Sequence, residues 1–280
     1  MKKLLFFVAV VTTLIMSSCA ESETEGLEQR QNIEEVQMKE LIQYVRDIKP
    51  DASIALSPET RGFWRTFRNW FERLGSADGG GFRWGRDNGL NWGQSLLASV
   101  SISLVTAISG GEGRVEWNVN GEWKVYQTSI RDYKELGNAH NKAIYELCLS
   151  NPTLKYGSNI SNSSLFSLAE AKTKAMGYKD GLSLLQRSAL MQMMTDLRNT
   201  STMSDVTNLF VNRFQNSRLD YQFLEEYLDA VTLLEDRDAA ISFTEQIYTK
   251  IDTMSGVQKS SLQCMVSTAL CSILLWQPVR

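Results

Sequence analysis

Apolar residues recur at helical spacing along most of this chain. Ile33, Val36, Leu41, Ile42, Val45 and Ile48 form one stripe, which predicts an amphipathic helix over 32–48, ended by Pro50. Ser57-Pro58 reads as a second helix start, a capping oxygen followed by a proline in the first turn. That helix carries Phe63, Trp64, Phe67, Trp70, Phe71 and Leu74, and Gly75 is expected to stop it. Residues 75–113 hold ten of the eighteen glycines and read as a Gly/Ser-rich segment. Arg114 to Tyr126 then alternates in polarity around Asn120-Gly121, the pattern of a two-residue hairpin. From Asp132 onward, helices are predicted near 132–149, 164–176, 182–199, 204–216, 219–235, 237–252 and 256–276. Their short links favour antiparallel neighbours. The expected fold is mainly α, a compact helical bundle with one short β-hairpin near 114–126.

The first thirty residues follow another logic. Lys2 and Lys3 precede an apolar run from Leu4 to Met16, and Met16-Ser17-Ser18 leads into Cys19. This is the pattern of an export signal with Cys19 at the cleavage point. A run of thirteen residues falls short of the roughly 20 that a membrane-spanning helix requires. The segment resembles the lipobox of bacterial lipoproteins, which implies that Cys19 is acylated and becomes the first mature residue. Residues 19–30 then read as an acidic tether, with Glu21, Glu23 and Glu25 alternating with small residues. Acidic residues after the cysteine resemble the surface-export signals of Bacteroidetes lipoproteins. The expected location is the outer membrane, facing outward, with the periplasmic face left open. The remaining divisions are 31–130, containing amphipathic helices, the Gly/Ser-rich segment and the hairpin, and 131–280, all helical and packed with it as one domain.

Charge and cysteine content narrow the function classes. Without residues 1–18, 27 basic and 32 acidic residues leave a net charge of −5, which gives no global case for nucleic acid. Cys148, Cys264 and Cys271 are read as buried thiols, with a bridge from Cys148 as the alternative. One histidine and no close cysteine pair leave no structural zinc site, and no Gly-x-Ser-x-Gly elbow or phosphate-binding glycine loop occurs. The expectation is no cofactor, no metal and no catalytic residue.

Three stretches could carry function. In the second helix, Arg61, Phe63, Trp64, Arg65, Phe67, Arg68, Trp70 and Phe71 combine cationic and aromatic groups. This suits contact with a membrane or partner, and equally a core helix with solvated arginines. Gly81, Gly85, Gly89 and Gly93 fall every fourth position, with a second row at Ser95, Ser99, Ser103, Ala107 and Gly111. Such rows permit close helix packing, inside a core or within a membrane. His140 shares a helical face with Leu136, Ile144 and Leu147 and reads as a hydrogen-bonded structural residue. Asp252-Thr253-Met254 resembles the O-glycosylation site of Bacteroidetes exported proteins, which makes Thr253 the candidate acceptor.

Ser76-Ala77-Asp78-Gly79-Gly80, the glycine row, and Tyr133 to Tyr145 (YKELGNAHNKAIY) occur together with the lipobox. In combination they resemble a group of Bacteroidetes exported lipoproteins with a Gly-rich zipper-like segment and a downstream His-Asn helix. That resemblance implies an exported, anchored protein and carries no activity with it. The expected role is a non-enzymatic outer-membrane lipoprotein that binds a partner or the envelope. The alternatives are a membrane-active or toxin/immunity-type protein using residues 77–111, and an envelope glycan hydrolase. The expected partners are the membrane, through lipid on Cys19, and a protein, with the oligomeric state left open.

Overall fold

The computed structural model describes residues 32–51, 58–109, 134–154, 160–234, 237–255 and 259–276. Side chains of 58–67, 134–135 and 276 lie outside that description, as does the hairpin expected near 114–126. The described residues form ten α-helices and no strand. In chain order they are α1 (32–48), α2 (Pro58–Asp87), α3 (Trp92–Ser109), α4 (Lys134–Ser150) and α5 (Asn162–Ala175). They continue with α6 (Leu184–Leu197), α7 (Met203–Arg213), α8 (Arg218–Val231), α9 (Arg237–Asp252) and α10 (Lys259–Trp276).

Gly75 does not end the second helix. α2 runs on for 30 residues to Asp87, straight through what reads as a glycine-rich segment. Every residue from Phe71 to Gly85 is buried, because α3, α7, α8 and α10 pack around α2 on all sides. A glycine in a helix costs about 1 kcal/mol relative to alanine, so sequence alone argues for a break. Here the missing side chains are where neighbours sit. A Cβ on Gly79 would lie 2.8 Å from the Met265 carbonyl oxygen of α10, and one on Gly80 2.5 Å from the Phe210 ring of α7. One on Gly85 would lie 2.9 Å from Cα of Ser95 on α3. Packing against four helices outweighs the local propensity.

The helix ends at Gly89, whose φ of +70° is open to glycine without strain. Leu90 N–H donates to Gly85 O at 2.9 Å and Gly89 N–H to Arg86 O at 3.0 Å, a Schellman closure. Asn91 and Gln94 then exchange side chain-to-backbone bonds of 3.0 Å and start α3. α3 returns antiparallel to α2. It is long and apolar enough to cross a membrane, with a mean hydropathy of 1.3. Most of it is buried in the bundle, and its Ser99 hydroxyl donates to Asp78 O at 2.7 Å.

Two cores share this centre. One joins α2 to α3–α7, and the other joins α1, α8, α9 and α10. α1 runs parallel to α8: Arg46 pairs with Glu226 and Lys49 with Asp229, while Glu34 reaches the level of Asp220. The chain therefore enters α1 at the end of the molecule where α2 finishes, and Arg68 and Phe71 lie toward the opposite end.

The packing predicts unequal effects of adding one methyl group. Gly79→Ala meets backbone that cannot yield and should lower unfolding stability by about 2 kcal/mol in urea titration. Gly75→Ala meets only the Leu228 side-chain tip, at 2.6 Å. It should cost less than about 1 kcal/mol, since that tip can rotate and alanine favours the helix. Equal losses at the two positions would contradict this account.

Candidate functional site

The described arginines of α2 are spent internally. Arg68 bonds Glu72 at 2.5 Å and also pairs with Asp229 of α8. Phe71 is core, which corrects its expected role as a contact residue: α3 and its neighbours cover it. Trp70 is half-buried and packs on the same core. Arg61, Phe63, Trp64, Arg65 and Phe67 belong to α2, with side chains outside the described residues.

Arg73, also fully enclosed, donates to Thr106 O at 3.1 Å and Leu197 O at 3.3 Å. It thereby places a cation at the C-terminal ends of α3 and α6, where helix dipoles favour positive charge. Arg86 lies over Trp92 at 4.3 Å. Arg68, Arg73 and Arg86 thus serve as internal bracing.

The four-residue glycine row is divided in space. Gly81 and Gly85 face Ile102 and Ser95 on α3, Gly89 occupies the α2–α3 turn, and Gly93 touches Tyr178. Thr253 is exposed just past α9, its hydroxyl donating to Lys250 O at 2.6 Å. Cys148, Cys264 and Cys271 are buried thiols with no disulfide among them. Burial pushes the thiols of Cys264 and Cys271 up to about 12, which leaves them unreactive at neutral pH.

Two polar assemblies remain, and neither was recognised from sequence. The first lies midway along α2, in the core. Asp78 Oδ2 accepts from Ser103 at 3.0 Å and Ser272 at 2.5 Å, on α3 and α10. His140 Nε2, on α4, stands 3.7 Å from the same oxygen. The Ala-Asp-x-x-Gly and His-Asn stretches therefore meet here.

Asn141 donates to Cys271 O at 2.6 Å, which leaves its amide oxygen for His140 Nδ1 at 3.3 Å. That bond makes Nδ1 the protonated nitrogen and turns the lone pair of Nε2 toward Asp78. Burial without a countercharge pushes the Asp78 carboxyl up to about 8 and the His140 imidazole down to about 4. Burial thus favours the neutral form of both groups. Both are fully enclosed, so no solute reaches them.

The second assembly is open. A cleft of about 800 Å³ lies between α1, the end of α2, the start of α8 and the start of α10. That volume falls in the range of ligand pockets. Its floor is Arg83, which bridges Asp220 at 2.7 Å and Asp87 at 3.2 Å. Ser217 and Tyr221 each donate to Asp87 at 3.0 Å. Burial raises both carboxyls, Asp220 to about 6, and the Arg83 charge opposes the shift.

Gln37, Gln215, Asn216 and Gln222 supply amides, and the lining carries four acidic and four basic side chains. Such a surface suits a neutral or zwitterionic ligand rich in hydrogen-bonding groups. Arg83 and Asp87 stand at i, i+4 spacing and could have been paired from sequence. Asp220 lies 133 residues further on, beyond any local pattern. No group of metal-ligating side chains occurs among the described residues. No family model, curated protein or solved structure matches the chain.

The buried pair fixes a pH signature. Unfolded, Asp78 ionises near 3.8; folded, it keeps its proton to about 8, so its contribution falls as pH rises between those values. His140 acts oppositely, losing stability as pH drops from 6.5 to about 4. The two slopes cancel between about 4 and 6.5, and above that Asp78 acts alone. Relative to Asp78→Asn, the wild-type protein should lose about 1 kcal/mol per pH unit between 6.5 and 8, measured by urea unfolding. A pH-independent difference across that window would refute the assignment.

Proposed function

We propose that this protein is an outer-membrane lipoprotein, anchored through Cys19, whose helical body binds a partner or envelope component without catalysing a reaction. The observation that carries this reading is the passage from Lys2-Lys3 through the apolar run to Met16-Ser17-Ser18-Cys19. The cleft supports a binding role. It opens beside the first turn of α1, the end of the body nearest the tether. Its Asp87 carboxylate accepts from Arg83, Ser217 and Tyr221, an arrangement that fixes a surface in place.

Cys19→Ala should abolish palmitate incorporation and shift the protein from the outer-membrane to the soluble fraction, with its helical circular dichroism unchanged. Palmitate retained in that variant would exclude Cys19 as the anchor.

A membrane-inserting role is the second reading, favoured by the length and apolarity of α3. Insertion would have to strip α3 from Gly81 and Gly85 and separate Ser103 from Asp78. The full chain should therefore leave dye-filled vesicles of phosphatidylethanolamine and phosphatidylglycerol intact. Dose-dependent leakage would favour insertion instead.

A further inference from the structure

Leu184 and Leu185 are 87% and 84% exposed, more than any other large apolar side chains among the described residues. They begin α6, and hydrogen bonds hold the turn that carries them. Ser183 Oγ accepts from Gln186 N at 3.3 Å, and Gln186 Oε1 accepts from Ser183 N at 2.9 Å, a complete capping box. Asn91 holds Asp180 at 2.7 Å, and Gln94 holds the Gly181 carbonyl at 2.7 Å. The two leucines are thus fastened to the turn where α2 becomes α3, with Trp92, 38% exposed, beside that turn.

This is also the end at which the chain enters. The cleft places Glu34, in the first turn of α1, among the same residues as Arg83 and Asp87 at the end of α2. Asn32 follows Cys19 by 13 residues, a reach of at most about 45 Å when extended. Lys179 and Arg187 flank the leucines, Arg187 stacked over the Phe166 ring at 4.6 Å, while Asp180 and Glu170 stand at the same turn. An exposed apolar tip at the end of the body where a tethered chain enters lies within reach of the bilayer that holds the tether.

Resting on the anchored reading above, we propose that Leu184 and Leu185 insert into the interfacial layer of the bilayer that holds Cys19. They would form a second contact that sets how the body stands on the membrane. Anchoring by one lipid group alone leaves the body free to rotate, and a second apolar contact restricts it.

The test uses the full lipidated chain in vesicles of phosphatidylethanolamine and phosphatidylglycerol. An environment-sensitive fluorophore is attached at Leu185→Cys, or at Asn199→Cys as control. Asn199 is exposed past the far end of α6, and the thiols of Cys148, Cys264 and Cys271 are buried. The label at 185 should shift to the blue and be quenched by brominated lipid, while the label at 199 should remain in water. Mass spectrometry of the same samples reports the lipid on Cys19. Lipid present with the 185 label in water overturns the contact and leaves the anchor standing; lipid absent overturns the anchor.

In the Cys19→Ala chain, Leu184→Ser with Leu185→Ser should reduce vesicle partitioning by about ten-fold at an unchanged melting temperature. Equal partitioning would also overturn the contact. If the tip instead serves a protein partner, both membrane readouts stay flat and the proposal fails.

Discussion

The structure depends on the close approach of four helices to α2. An ordinary helix buries one stripe and shows water the rest, but α2 is enclosed along fifteen consecutive residues. Enclosure on every side needs positions without side chains on several faces, and Gly79, Gly80 and Gly85 supply them toward α10, α7 and α3. The conformational cost of these glycines is offset by dispersion contacts along a dense interface. Removing the neighbours would leave a poor helix. The segment is helical because it is surrounded.

Uncompensated polarity is costly in such a centre, and most of the polar groups within it find partners. Arg73 spends its guanidinium on backbone carbonyls at two helix ends, and Arg83 spends its own on two carboxylates. Asp78 and His140, lacking a countercharge, lie in their neutral forms. Hydrogen bonds from α3 and α10 to Asp78, and from Asn141 to α10, tie four helices into one register. Charged groups whose partners lie far along the sequence become braces once the chain folds.

The division between interior and end organises function. The interior polar groups are enclosed by the bundle. The end where α1 begins gathers the charged cleft, the α2–α3 turn and the two projecting leucines. A tether at residues 19–30, as proposed, would bring these features to the membrane together.

Sequence by itself determined the helical class and most helix positions after Asp132, because apolar spacing and short polar links are local properties of the chain. It also determined the candidate anchor, since a lipobox pattern is read as a linear string. Tertiary structure alone decided the fate of Gly75 to Gly85, where long-range packing overrides local propensity. It alone brought Asp78 to His140 and Asp220 to Arg83, pairs separated by 62 and 137 residues that no periodicity connects. It turned Phe71 and Arg73 inward and left Leu184 and Leu185 outside. An apolar residue's type records a preference for burial, whereas the place it occupies depends on which helices arrive to cover it.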